Sequence, residues 1–178
     1  MLLATSSLLP DGEAGGSLLV DAFAERGIDS RWVVWDDSSV DWAAADVVAV
    51  RSTWDYHRRT AEFLARARKV ETETRLLNGA DVFAWNADKG YLVDLGSDVP
   101  CVPTRLLDDA TLVAGLRSAL DSWGEVVIKP RTGAGASGSW SRRRSRTSGS
   151  RASPPRPGWC SRWCSRCCLL YTSPSPRD

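Results

Sequence analysis

The charge of this chain changes sign near residue 140, and that break limits how much of it can share one fold. Residues 1–140 carry 14 Lys/Arg against 21 Asp/Glu, a net of −7, whereas residues 141–178 carry nine Arg against the single acid Asp178, a net of +8. A length of 178 residues allows one ordinary domain or two small ones, with a sizeable core if all of it folds. The averaged composition therefore describes neither part. Four of the five cysteines, Cys160, Cys164, Cys167 and Cys168, fall in the basic tail beside Trp159 and Trp163. Clustered thiolates can ligate zinc, but the spacing does not supply two Cys-x-x-Cys pairs, the one histidine is distant His57, and adjacent cysteines do not easily both ligate. A basic, tryptophan-containing arm for nucleic acid is a second reading.

A third reading accounts for more of the tail. Cys168 to Asp178, Cys-Leu-Leu-Tyr-Thr-Ser-Pro-Ser-Pro-Arg-Asp, resembles the translation of a transposon-based sequencing-library adapter. The segment before it, rich in Arg, Ser, Pro, Trp and Cys, looks like GC-rich coding sequence in the wrong frame. Trp159-Cys160-Ser161-Arg162 can be encoded by TGG-TGY-AGY-CGN, which one base earlier allows Leu-Val-Gln-Pro, and the same reading recurs from Trp163 to Arg166. A frameshift between about Gly138 and Arg144 is expected, with out-of-frame residues 141–167 followed by adapter at 168–178. Such a tail lacks the apolar periodicity that repays chain entropy, so disorder is expected and no function is assigned to it.

Within residues 1–140 the apolar pattern alternates between strand and helix. Met1–Thr5 reads as a first strand, the loop Ser6–Gly16 follows, and Leu18, Leu19, Ala22 and Phe23 recur at helical spacing before Gly27. Arg31–Trp35 and Asp46–Val50 read as further strands, which together predict an α/β unit with parallel strands. After the third comes Arg51-Ser52-Thr53-Trp54-Asp55-Tyr56-His57. Ligands bind at the carboxyl ends of strands in open α/β sheets, so this run is either a site or a polar loop with Thr60 or Asp55 capping a helix and Trp54 and Tyr56 packed on the sheet. Thr60–Val70 reads as a structural helix with Phe63, Leu64, Ala67 and Val70 on one face. Asn86 can cap a helix carrying Tyr91, Leu92 and Leu95. Lys89 would then occupy its first turn, where the macrodipole disfavours a cation unless an anion is near.

Val99–Thr104, with Pro100 and Pro103, reads as an edge strand, and Asp108–Asp121 as an amphipathic helix. Glu125–Gly138 then runs from an apolar strand, Val126-Val127-Ile128, through Lys129 and Pro130 into a loop containing Gly133, Gly135, Ser137 and Gly138. A strand delivering a lysine into a donor-rich loop can hold a polyphosphate; a plain surface turn is the alternative. The N-terminus shows no signal-peptide pattern, no run reaches membrane-spanning length, and Cys101 alone in this part fits a reducing cytoplasm.

In order and spacing, Arg51 to Tyr56, Trp85 to Leu92, Val99 to Thr104 and Val126 to Pro130 resemble the ATP-grasp ligases, in particular the glutathione-synthetase-like branch with its O-ureido-serine cyclo-ligases of cycloserine biosynthesis. The resemblance implies a Rossmann-like pre-ATP-grasp domain over residues 1–75 and a partial first ATP-grasp (α+β) subdomain over 76–140. It also implies ATP and Mg²⁺ as cofactors, Lys89 and Lys129 on the nucleotide phosphates, and the Gly133–Gly138 loop, with Gly135 and Ser137, closing over them. Arg51, Ser52, Thr53, Trp54 and Asp55 would face the substrate, a small carboxylate or amine, with neither nucleic acid nor membrane as partner. The family's adenine hinge and Mg²⁺ ligands follow the glycine loop, where this chain enters its aberrant tail. The reframed Leu-Val-Gln-Pro falls about where the hinge belongs, and the chain as it stands is expected to be inactive. A non-catalytic nucleotide-binding module is the competing reading, separated from a ligase by metal ligands in the correct-frame continuation. A full-length read of the locus should restore Leu-Val-Gln-Pro and carry acidic and asparagine ligands beyond it. Reads that continue the present frame past Asp178 into genomic sequence would overturn the frameshift.

Overall fold

The computed structural model describes residues 1–95, 98–133, 140–143 and 166–170. It divides into one compact unit, Met1–Ala87, and a second beginning at Asp88. In the first unit a parallel sheet has the order β2-β1-β3-β4, with β1 at Leu2–Thr5, β2 at Arg31–Val34, β3 at Val47–Ser52 and β4 at Arg75–Leu76. All four residues of β1 are buried, as a central parallel strand covered on both faces requires. Helix α1, Gly16–Ala24, crosses from β1 to β2, and α2, Thr60–Glu73, from β3 to β4. The α2 stripe is the one expected: Phe63, Ala67 and Val70 are buried and Leu64 packs beside them, against Leu2, Ala4, Trp35 and Val48. Leu18 departs from expectation. It is 71% exposed on α1, whose one buried position is Gly16, so the helix rests on its glycine-bearing end rather than on the full Leu18–Phe23 stripe.

A further helix, α3, spans Gly79–Ala87, and Asn86 lies in its last turn instead of capping a later one. It begins at two consecutive residues of positive φ, Asn78 at 70° just before it and Gly79 at 77° at its first position. The Ala80 N–H donates to Glu71 Oε1 at 3.1 Å, so the cap comes from α2, nine residues upstream, and leaves no local sequence signature.

In the second unit β5, Thr104–Asp108, lies at the edge of a sheet ordered β5-β8-β6-β7, with β6 at Glu125–Pro130, β7 at Trp140–Arg143 and β8 at Arg166–Leu170. Its pairings are antiparallel. The edge position expected for Val99–Thr104 is taken by the segment that follows: Pro100 and Pro103 supply no ladder N–H, and the strand begins at Thr104. Helix α5, Leu112–Trp123, starts four residues later than expected. Asp108 ends β5 and closes a reciprocal turn, its Oδ1 accepting from the Thr111 N–H and hydroxyl at 2.8 Å each while Thr111 Oγ1 accepts from the Asp108 N–H at 3.1 Å. Leu116, Ala119 and Leu120 pack on Leu107, Val126 and Ile128. Of the tail expected to be disordered, residues 141–143 within β7 and Arg166–Leu170 are strands; the rest lies outside the described residues. No helix among the described residues is long and apolar enough to cross a membrane.

The ring of Phe63 meets Trp35 edge-on at 5.4 Å and lies 5.3 Å from Tyr56 and 6.0 Å from Phe83, so it joins α2 to α3 and to the residue just after β2. Phe63→Ala should cost about 3–5 kcal/mol in urea unfolding. A loss under about 1 kcal/mol would mean the site collapses around the gap.

Candidate functional site

Two groups of expected site residues are described, one in each unit. In the first, β3 ends at Ser52 and the chain turns through Thr53 and Trp54 into a 3₁₀ turn at Tyr56–Arg58. The five residues Arg51 to Asp55 do not all face one way. Arg51 and Trp54 are exposed, whereas Ser52, Thr53 and Asp55 are buried. Asp55 is only 8% exposed, and its Oδ1 accepts from Trp35 Nε1 at 3.0 Å while Oδ2 lies 3.7 Å from Arg59 Nη2. Its carboxylate therefore secures the turn from within. Asp55 and Thr60 make no side-chain cap: Thr60 Oγ1 donates back to the carbonyls of Tyr56 and His57. Tyr56 packs toward the core, as the loop reading expects, but Trp54 is 49% exposed.

The sequence reading passed over Glu13, in the loop between β1 and α1. Glu13 Oε1 accepts from Arg51 Nη2 at 2.8 Å and Oε2 from the Ser52 hydroxyl at 2.7 Å. Both oxygens are thus used to tie the glycine-rich loop to the carboxyl end of β3. The Ser52 hydroxyl first, and the Arg51 guanidinium second, hold the Glu13 carboxyl below the usual glutamate range. An acid among Gly12, Gly15 and Gly16 was the available signal, but its partners are 38 and 39 residues away. Nearby Ser6, sealed at the end of β1, has a hydroxyl without a partner among the described residues.

In the second unit the chain brings Lys89 to the loop that follows β6. The Lys89 N–H donates to the Arg131 carbonyl at 2.9 Å, and Lys89 Nζ donates to the Gly133 carbonyl at 2.9 Å and more distantly to that of Arg131 at 3.5 Å. Lys89 precedes the short helix α4, Tyr91–Leu95, rather than lying in its first turn, so the dipole argument gives way to direct contact with the loop. On β6, Val126 and Ile128 face α5, and strand alternation places Lys129 with Val127 on the opposite face. Lys89 and Gly133 are thus in direct contact, while Lys129 lies on the strand that leads into the loop. Gly135, Ser137 and Gly138 lie outside the described residues. Among the described residues no cluster of three or more His, Cys, Asp or Glu could hold a metal ion.

A parallel α/β unit followed along the chain by an antiparallel sheet is a plan shared with ATP-grasp proteins, to which this chain is similar. Residues 1–78 match the family described as D-cycloserine synthetase DcsG, N-terminal domain. The cycloserine biosynthesis protein DcsG of Streptomyces lavendulae is 35% identical over 120 residues, which cover 65% of this chain and 40% of that protein. The crystal structure of D-cycloserine synthetase DcsG superposes with a TM-score of 0.78 at 28% identity, over 96% of this chain and 58% of the other. A RimK domain ATP-grasp protein from Sphaerobacter thermophilus shares the fold, with a TM-score of 0.62 at 17% identity over 98% of this chain and 65% of that one. The chain thus spans less than two thirds of each of these relatives.

A lowered carboxyl pKa stabilises the folded state above the unfolded value and loses that contribution as pH falls through the folded one. Glu13→Gln should therefore lower the urea midpoint at pH 7, and the gap from wild type should close as pH drops below about 4. A gap that stays constant across that range would show that the charge on Glu13 contributes nothing.

Proposed function

We propose that the chain carries the phosphate-gripping part of an ATP-dependent carboxylate–amine ligase, with Lys89 and Lys129 as the phosphate-neutralising residues. The observation that carries this reading is the engagement of Lys89 Nζ with the Gly133 carbonyl, 2.9 Å away and four residues beyond Lys129. The Lys89 ammonium can exchange a carbonyl oxygen for a phosphate oxygen, which adds the attraction of opposite charges to the hydrogen bond. The glycine loop, with Gly133, Gly135, Ser137 and Gly138, supplies backbone N–H groups that can approach phosphate closely.

In the proposed reaction the ATP γ-phosphoryl group passes to a carboxylate oxygen, ADP leaves, and an amine displaces phosphate from the acyl phosphate to form the amide. Such chemistry asks a protein for positioning and charge neutralisation rather than a nucleophile. In the first unit, exposed Arg51 and Trp54 are the members of the Arg51–Asp55 run able to meet a small carboxylate or amine substrate, with Ser52, Thr53 and Asp55 fixing them from below. The similarity to DcsG supports a small-molecule substrate, and the lone Cys101 of residues 1–140 supports a reducing, cytoplasmic setting. The polypeptide as it stands is inactive on this proposal, because its reading frame changes before the expected adenine-hinge and Mg²⁺ residues.

Titration of the 178-residue chain with inorganic tripolyphosphate at fixed low ionic strength tests the grip. Lys89→Ala and Lys129→Ala should each weaken binding about 5- to 20-fold, as loss of one charge-assisted contact does, while ATP turnover stays at background. Undiminished binding in both variants would overturn the assignment of the lysines, and turnover above background would overturn inactivity.

A further inference from the structure

The register of β1 against β3 slips by one residue at the carboxyl end of the sheet: Ala4 pairs with Val50 and Thr5 with Ser52, which leaves Arg51 as an extra residue in β3. On a regular strand Arg51 and Ser52 would point to opposite faces. The bulge removes that alternation, and both side chains reach one carboxylate, Arg51 Nη2 donating to Glu13 Oε1 at 2.8 Å and the Ser52 hydroxyl to Oε2 at 2.7 Å. Ser52 is fully buried while the Glu13 side chain is 34% exposed, so Glu13 links solvent to the strand end. Ser6 follows Thr5 at the same end of the sheet; it too is fully buried, and its hydroxyl has no partner among the described residues. The backbone on either side of Glu13 is fixed: Gly12 and Gly16 press on the Trp32 ring, where an added Cβ would clash, and Trp32 Nε1 donates to the Gly16 carbonyl at 3.3 Å.

We propose that the bulge makes Arg51 and Ser52 a two-donor cradle for a small carboxylate, and that Glu13 is its internal occupant, which an incoming carboxylate replaces. The proposal rests on the reading of Arg51 as substrate-facing. Glu13 holds the cradle as a free carboxylate would, one oxygen on a guanidinium and one on a hydroxyl, so the exchange preserves the kind of hydrogen bond on each donor. Only the Glu13 side chain has to turn, because its backbone stays with Trp32, and once released it regains rotamer freedom. Ser6 adds a third hydroxyl at the same strand end, one that Glu13 does not use. The displaced Glu13 stays tethered beside the cradle as a competitor, so the apparent affinity for an external carboxylate is lowered by the fraction of time that Glu13 is seated. Glu13 thereby sets the concentration at which a carboxylate enters.

The test is a titration of the isotope-labelled full chain with propionate, followed by NMR at the Arg51 and Ser52 amides and at the Glu13 side-chain carboxyl carbon, with propionamide as the uncharged control. In the wild type, propionate should shift all three signals saturably and propionamide should not. Glu13→Ala should tighten propionate binding about tenfold or more, because the competitor is gone. Glu13→Gln keeps the side chain's shape, which guards against loss of the fold, and should tighten binding by a smaller factor. Adding Arg51→Met or Ser52→Ala to Glu13→Ala should remove most of the gain. If Glu13 only orients Arg51, propionate meets the other guanidinium N–H groups and loss of Glu13 weakens binding; that result would overturn the cradle while leaving Arg51 substrate-facing. Shifts at Arg51 with the Glu13 carboxyl unmoved would do the same. Binding by the Glu13 variants alone would mark an ordinary structural ion pair and overturn the exchange. No response at Arg51 in the wild type or in either variant would remove the cradle and the substrate reading together.

Discussion

The indole N–H of Trp35 donates to the carboxylate of Asp55, and the arrangement of the first unit's polar end depends on that bond. Trp35 is 2% exposed, so its N–H must find a partner inside the protein, and Asp55 brings a charge into the same place. The carboxylate is tolerable there because Arg59 stands 3.7 Å from its second oxygen and lies over the Trp35 ring, 4.7 Å from the ring centre, with a further ion pair to Asp36 at 2.5 Å. With Asp55 drawn inward, the turn after β3 leaves Arg51 and Trp54 outside. Glu13 then ties the loop after β1 to Arg51 and Ser52, so the exposed arginine is held at its head as well as its backbone. A run of polar and aromatic residues that could have been a loose loop is in this way divided into an inner, fixing set and an outer set.

Local periodicity made much of the fold legible. The apolar residues of β1, the α2 stripe of Phe63, Ala67 and Val70, and the Leu116–Leu120 face of α5 can be read from spacing alone, because each buries against a neighbour whatever that neighbour is. The features that escaped have partners far along the chain. Helix α3 starts where Glu71 receives the Ala80 N–H; Leu18 repeats at helical spacing yet faces solvent because α1 meets the sheet at Gly16. The prolines of Val99–Thr104 were read as marking an edge strand, and they stand just before one. The site divides in the same way. The polar and charged character of Arg51–Asp55, Lys89 and Lys129 was visible in residue type, but not that Asp55 turns inward, that Glu13 joins Arg51, or that Arg131 takes Asp88, since those choices are made across 20, 38 and 43 residues.

The placement of β8 separates backbone from side-chain specificity. Residues Arg166–Leu170, read as the end of an out-of-frame stretch and the start of an adapter translation, pair with both β5 and β6. A ladder consumes N–H and C=O groups that every residue except proline carries, and unpaired edges on β5 and β6 are costly in the same currency. Strand pairing between them is therefore available to almost any apolar segment that reaches the gap, and Cys-Cys-Leu-Leu is such a segment. Membership of a sheet does not imply that a sequence was selected for it. The frameshift reading of these residues and their backbone pairing are compatible.

Lys89 and Lys129 are placed by different physical routes. Lys129 is carried by a strand whose alternate residues, Val126 and Ile128, are fixed against α5, so its direction follows from strand geometry. Lys89 stands in a turn, where no such periodicity directs it; its backbone is held by the Arg131 carbonyl and its side chain by that of Gly133. A turn residue is directed by its own bonds, whereas a strand residue is directed by the alternation of the sheet.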